Sequence, residues 1–301
     1  MRVASLLPAA TEIVAVLGMT DCLVGVSHEC DWPPEVRDKP RLTYCEIHGN
    51  ILPSAEIDRW VKAELPARGS LYTVDEQRLA ELRPDVILTQ GLCDVCAPSY
   101  TTVAALAARL PGPPCVLDLD PRTLADILEN VRTVGAALGV GPRAEDVVAG
   151  LARRIEAVRA RRADVPPRRC VLLEWTTPPF CSGHWDPELV EIAGGRELLG
   201  RAGEPAAEVP WAAVCEVAPE VLVLACCGYD VARTLGDVPL LRSFPGWGTL
   251  PAVQAGRVYV VDGSAYFSRP GPRIVDSLEL LERIFRDEPL PVDAAVRLTS
   301  P

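Results

Sequence analysis

The chain has 301 residues, a formal net charge of −11, and a composition that is 49% hydrophobic and 24% charged. That length suits two α/β lobes of ordinary size better than one minimal core, and the balance is that of a globular rather than a disordered protein. No lysine or arginine cluster interrupts the acidity, and Arg159, Arg161 and Arg162 read as the solvated face of a helix, so nucleic acid is excluded as a partner.

The predicted elements begin at once. Arg2–Pro8 (RVASLLP) reads as a strand, Thr11–Gly18 as a helix with Thr11 as its cap, and Cys22–Ser27 as a second strand. Pro8, Glu12 and Gly18 interrupt the run a secretory signal would need, so a cytoplasmic protein is expected. No stretch reaches the ~18 apolar residues of a membrane span, so no membrane insertion is expected. Further on, Arg78–Gln90 reads as a helix, a turn at Pro84 and a buried strand. Thr101–Leu110 is helical, and Pro114–Asp120 is another strand. Alternating strands and helices imply a parallel sheet.

The segment Thr123–Arg162 has helical periodicity broken once, at Gly139 to Pro142. Two readings stand: two helices in a hairpin, or one long connector along the back of both lobes. The plan then repeats. Arg168–Trp175 is a strand, Pro187–Gly195 a helix, and Ala212–Gly228 a helix, a turn at Pro219 and a strand. The last echoes Arg78–Gln90, with Pro219 standing where Pro84 stood. Gly256–Gly263 is a further strand, and Arg273–Phe285 a closing amphipathic helix. The expected division is a first α/β lobe over 1–120, a helical segment over 121–165, a second lobe over 166–288, and a loose tail over 289–301.

Eleven cysteines, an odd number in a long chain, argue for reduced thiols. Cys115, Cys170 and Cys215 lie in or beside apolar runs and read as small core residues. Ligands of parallel α/β sheets gather beyond the carboxyl ends of the strands. The loops expected there carry His28, Glu29, Cys30, Asp31 and Trp32; Cys93 and Cys96; Phe180, His184 and Trp185; Cys226, Cys227 and Tyr229; and Tyr266, Phe267 and Arg269. The Cys93/Cys96 pair has three readings. It binds zinc or another soft metal, completed by His28, Cys30 or His184; it is a redox pair; or it packs a loop. The aromatic side chains suit the stacking walls of a flat macrocycle, or a core. No nucleophile elbow, phosphate loop, dinucleotide fingerprint or zincin helix is present, so a binding protein is favoured over an enzyme.

The segments Arg2–Gly18, Val24–Val36, Glu81–Gln90, Pro178–Gly195, Val209–Val214 and Ala265–Val275 together resemble a known family. It is that of the helical-backbone solute receptors that serve ABC importers of vitamin B12, iron-siderophores and haem. The resemblance implies two Rossmann-like lobes with parallel-rich sheets, a rigid backbone helix joining them, a ligand cleft between the lobes, and an ABC permease as partner. Departures accompany it. Glu29 stands where a tyrosine is expected, Gln90 where a tryptophan is, and Ala265 where an aspartate is, and an insertion lies around Glu46 to Tyr72.

The resulting expectation is a cytoplasmic binding protein for cobalamin, another corrinoid or a related small metal chelate. Its ligand contacts would be His28, Glu29, Cys30, Asp31, Gln90, Cys93, Glu174, Trp175, Phe180, His184, Trp185, Tyr229, Tyr266, Phe267 and Arg269. The alternative is a metal- or thiol-dependent enzyme or metal-handling protein working with a cofactor-processing partner. Its ion would sit on Cys93, Cys96, His28 and Cys30.

Overall fold

The computed structural model describes residues 1–47, 52–91, 97–162 and 166–299. They divide into two compact units, the first over 1–47, 59–91, 97–121 and 125–150, the second over 52–58, 122–124, 151–162 and 166–299. The predicted boundaries keep residues 1–120 in one lobe; here residues 52–58 group with the second unit.

In the first unit, β1 (Val3–Ser5), β2 (Leu23–Val26), β5 (Val86–Thr89) and β6 (Cys115–Asp118) form a four-stranded parallel sheet in the order β2-β1-β5-β6. Each residue of β5 is buried, as expected of a continuous apolar run covered on both faces. Helix α1 (Pro8–Val16) packs against this sheet. Its first residue is Pro8, whose fixed φ is already helical, so Thr11 is not its cap. Thr11 is buried instead, with its hydroxyl 2.8 Å from Ser5 Oγ. A separate two-stranded antiparallel ribbon joins β3 (Thr43–Cys45) to β4 (Tyr72–Val74), with α2 (Ser54–Arg68) between them in sequence. Helices α3 (Glu76–Leu82) and α4 (Tyr100–Ala107) complete the strand–helix alternation.

Helices α5 (Leu124–Ala137) and α6 (Gly141–Arg162) are separated by a turn at Gly139, whose φ is 71°. They fold back as a hairpin: Arg132 Nε lies 3.0 Å from Glu145, and a Cβ on Gly135 would run into Ala144. The connector is therefore α6 alone, 22 residues or about 33 Å. Its first ten residues group with the first unit and the remainder with the second.

The second unit is built on a seven-stranded sheet, β10-β8-β7-β11-β12-β13, with β9 beside β7. Strand β7 (Arg168–Thr176) is its axis. It runs parallel to β11 (Val221–Leu224) along one edge. On the other edge it pairs first with β9 (Gly195–Glu197) and then, antiparallel, with β8 (Pro179–Cys181). Strand β10 (Ala207–Glu208) extends β8, and β12 (Val258–Val261) pairs parallel with β11. The tail is not loose: Ala295–Arg297 forms β13, antiparallel to β12, because the exposed edge of β12 offers a free ladder that short apolar residues can close. Helix α7 (Asp186–Ala193) packs on the sheet beside α12 (Ile274–Phe285). Helix α12 is fastened to α6 by Arg154 on Glu279 at 2.8 Å and by Arg161 on Glu282 at 2.6 Å. Arg161 is thus an ion-pair residue and not merely a solvated one.

The internal echo is structural. Helix α8 (Trp211–Val217) precedes β11 as α3 precedes β5. Both helices end in a left-handed, non-glycine residue followed by proline: Arg83 at φ 41°, ψ 63° and Ala218 at φ 43°, ψ 66°. Of the cysteines read as core, Cys170 is buried, Cys215 is half-buried and Cys115 is exposed. Cys115 is exposed because β6 is an edge strand with only one neighbour.

At the end of β12 a short π turn, Gly263–Phe267, crosses the end of β11 so closely that a Cβ on Gly263 would run into the Cys226 carbonyl. Gly263→Ala should therefore lower folding stability by about 2 kcal/mol through overpacking against backbone that cannot yield. Urea unfolding with an unchanged midpoint would contradict this account of the crossing.

Candidate functional site

Open α/β sheets bind ligands where neighbouring strands send their connections to opposite sides. In the second unit that point lies between β7 and β11, since β9 continues from one flank of β7 and β12 from the other side of β11. The residues there are Glu174, Trp175 and Thr176 from β7, and Cys226, Cys227 and Tyr229 after β11. The half-buried Trp175 ring lies 4.8 Å from the Tyr229 ring, and its Nε1–H donates to the Thr177 carbonyl at 3.2 Å. Half-buried Phe180 stands opposite Trp175 in the β7–β8 register. Half-buried His184 has a left-handed backbone, φ 52°, held by its N–H on the Glu204 carbonyl at 2.6 Å and by Gly203 N–H on its own carbonyl at 2.8 Å. A strained non-glycine residue pinned from both sides is a position the surrounding structure over-determines.

The same unit encloses acids. Glu174 Oε1 accepts the Gly183 N–H at 2.7 Å, yet burial pushes its pKa up to about 8, helped by Cys227 and Glu197 nearby. Asp186, at the start of α7, is 3% exposed, and its Oδ1 has no hydrogen-bond partner. Burial, then the charge of Glu174, pushes its pKa well above the ordinary range. Glu197 accepts N–H bonds from Leu172, Leu199 and Gly200, which offset part of its burial and leave its pKa at about 7. This floor therefore holds protons where exposed carboxylates hold none. Tyr229 is only 3% exposed, and burial raises its phenol to about 12.

The first unit has its own cluster at the end of β2. His28 Nδ1 lies 2.7 Å from Thr43 Oγ1, its Nε2 3.1 Å from Glu29 Oε1, and its ring 5.5 Å from that of Tyr72. Thr43 Oγ1 also accepts the His28 N–H at 3.1 Å. The β3–β4 ribbon puts Thr43 and Tyr72 on the same side by register, so it is this ribbon that aims the imidazole. With one ring nitrogen on a hydroxyl and the other facing a carboxylate, His28 is arranged as a donor toward Glu29 rather than as an open metal ligand. Asp31 is exposed and offers its carbonyl to Arg37 Nε at 3.0 Å. Cys30 was expected at the ligand. It is 1% exposed, its sulfur 3.1 Å from Thr11 Oγ1, because the chain turns inward there to cap the first core.

The other expected contacts sort by burial. Gln90 is buried and bridges to Ser99. Trp185 and Phe267 are core residues joined by Trp185 Nε1–H on the Phe267 carbonyl at 2.9 Å. Tyr266 is half-buried, with the Arg273 guanidinium 5.6 Å from its ring centre. Arg269 is 6% exposed and 3.5 Å from Ser264 Oγ. Cys93 and Cys96 lie outside the described residues. Among the described residues, no three His, Cys, Asp or Glu side chains are grouped to hold a metal ion, and no disulfide joins cysteines. Sequence reasoning missed Thr43, Tyr72, Thr176, Asp186, Arg233 and Asp237. Thr176 and Asp186 directly follow predicted contacts and were within reach of the strand-end argument; the others come from elements no motif marks.

A family model described as periplasmic binding protein matches residues 3–265. The vitamin B12-binding protein of Vibrio cholerae serotype O1 is 22% identical over 280 residues, covering 92% of this chain and 86% of that protein. Among solved structures, the periplasmic vitamin B12 binding protein of Vibrio cholerae superposes with a TM-score of 0.70 at 20% identity, over 95% of this chain and 96% of that one. A periplasmic heme-binding protein from Roseiflexus sp. RS-1 superposes with a TM-score of 0.71 at 24% identity, over 95% and 98%. At such identities the superpositions speak for the fold.

The acid floor has a measurable consequence. Folded Glu174 keeps its proton to about pH 8, whereas the unfolded chain gives it up near 4.5, so its contribution is full below 4.5 and is lost as pH rises toward 8. Glu197 acts in the same direction toward about 7. The thermal midpoint should fall as pH is raised from 5 to 8, and Glu174→Gln, which keeps the acceptor for Gly183, should flatten part of that fall. A level wild-type profile across this window would refute the assignment.

Proposed function

Because the chain belongs to the periplasmic binding protein family, we propose that it is a carrier of cobalamin, of another corrinoid or of a related metallo-tetrapyrrole, handing its ligand to an ABC permease. The observation that carries this reading is the half-buried Trp175 ring at the β7–β11 switch point, with Tyr229 behind it and Phe180 opposite it. A flat, largely apolar macrocycle gains most from such rings, through area burial and offset stacking. The resemblance of whole chains to a vitamin B12-binding protein and to a heme-binding protein supports the ligand class. In this reading His184 approaches the metal of the ligand, because its ring is presented by a fixed backbone beside Trp185, 5.5 Å away. Tyr266 and Arg269 serve the polar periphery of the ligand. Action in the cytoplasm is part of the proposal and rests on the cysteine-rich composition.

Purified, reduced protein should bind hydroxocobalamin or haemin one-to-one with a Kd of about 1 μM or tighter by calorimetry. Trp175→Ala should weaken binding about ten-fold, and His184→Ala should abolish the shift in the ligand's visible spectrum. If neither compound binds and elemental analysis finds stoichiometric zinc that is lost in Cys93→Ser, the metal- or thiol-handling alternative replaces this one.

A further inference from the structure

The stretch before and into α2 belongs to the insertion, yet residues 52–58 group with the second unit. Their anchorage is specific. Ser54, 2% exposed, donates its hydroxyl to Asp237 Oδ2 and lies 3.1 Å from Tyr229 OH. Arg233, on α9 (Val231–Leu235), donates through Nη2 to Tyr229 OH at 2.9 Å and to the Leu52 carbonyl at 2.8 Å, and through Nη1 to Asp237 Oδ1 at 3.0 Å. Thr176 adds its hydroxyl to Asp237 Oδ2 at 2.5 Å.

The protons can be assigned. Ser54 has one hydroxyl proton, and it goes to the carboxylate. Tyr229 must then donate to Ser54 and accept from Arg233. The result is a closed ring in which Arg233 donates to Tyr229, Tyr229 to Ser54 and Ser54 to Asp237, each donation polarising the next, while Asp237 also accepts from Arg233 directly. Every member but Ser54 comes from the second half of the chain, and the Arg233 guanidinium also lies 4.1 Å over the Tyr229 ring. The Tyr229 phenol is thereby fully engaged, so Tyr229 acts not as a polar ligand contact but as the backing on which Trp175 rests.

We infer that Ser54 is a positioning residue for the ligand site, a strap from the insertion that locks Tyr229 and through it the stacking face of Trp175. This rests on the proposed ligand reading for its functional meaning, but its structural half is independent of that reading. Removing the hydroxyl leaves a buried phenol proton and a carboxylate lone pair unmatched, which frees the Tyr229 ring to rotate under Trp175.

The test compares wild type, Ser54→Ala, Ser54→Thr and, from the same helix, Lys62→Ala. Near-ultraviolet circular dichroism first identifies the signal that Trp175→Phe removes. Ser54→Ala should change that signal, Ser54→Thr should restore it, and Lys62→Ala should leave it untouched. In titrations with hydroxocobalamin and haemin, Ser54→Ala should raise Kd about ten-fold, chiefly through faster release, with Ser54→Thr near wild type. An unchanged Trp175 signal in a folded Ser54→Ala protein overturns the inference whether or not any ligand binds. Wild-type binding with the same Kd in Ser54→Ala overturns it while leaving the ligand reading intact. A changed Trp175 signal in a protein that binds neither compound supports the strap and removes the ligand class.

Discussion

Parallel pairing along β7 is the constraint on which the second unit depends. A parallel neighbour needs a crossover, and crossovers place every strand's carboxyl end at one edge of the sheet. With β11 and β12 both parallel to β7, the chemistry-bearing loops after three strands are delivered to one place without any one of them being encoded there. The first unit obeys the same rule with β2, β1 and β5, which is why His28 and Gln90 also sit at strand ends.

That gathering has an electrostatic side. Burial raises the proton affinity of both Glu174 and Asp186, and the charge of Glu174 raises that of Asp186 further. An ionised pair would cost far more in such surroundings than the single N–H from Gly183 returns. Asp237 lies in the same unit and is also buried, yet it is met by Arg233, Thr176 and Ser54. The contrast is one of partners: Asp237 faces a guanidinium, whereas Asp186 Oδ1 meets no hydrogen-bond donor.

Much of this was legible in the sequence where local chemistry decides. Val86–Thr89 and Val221–Leu224 are continuous apolar runs after a proline turn, and such runs have few fates in a chain of this length. The loops after them could be read as strand ends for the same reason. The β3–β4 ribbon could not, because its strands are three residues long, polar in part, and far apart in sequence. Cys115 reads as core from its neighbours, but whether an apolar residue is covered depends on which strand lies at the edge. The tail carries no periodicity and yet pairs, since its partner β12 supplies the ladder. Ser54 was invisible, for no pattern around it announces partners at Tyr229 and Asp237, 175 and 183 residues away.

That separation also orders events in time. The helix–proline–strand units over 76–89 and 211–224 close within a few residues and carry almost no loop-closure cost. The ring through Ser54 can close only after α9 is formed and the intervening chain has been drawn in. The stacking platform therefore rests on a contact that carries a far larger loop-closure cost than the units of the sheet. A surface held by so distant a contact inherits a built-in fragility, with the scaffold able to survive while the surface comes undone.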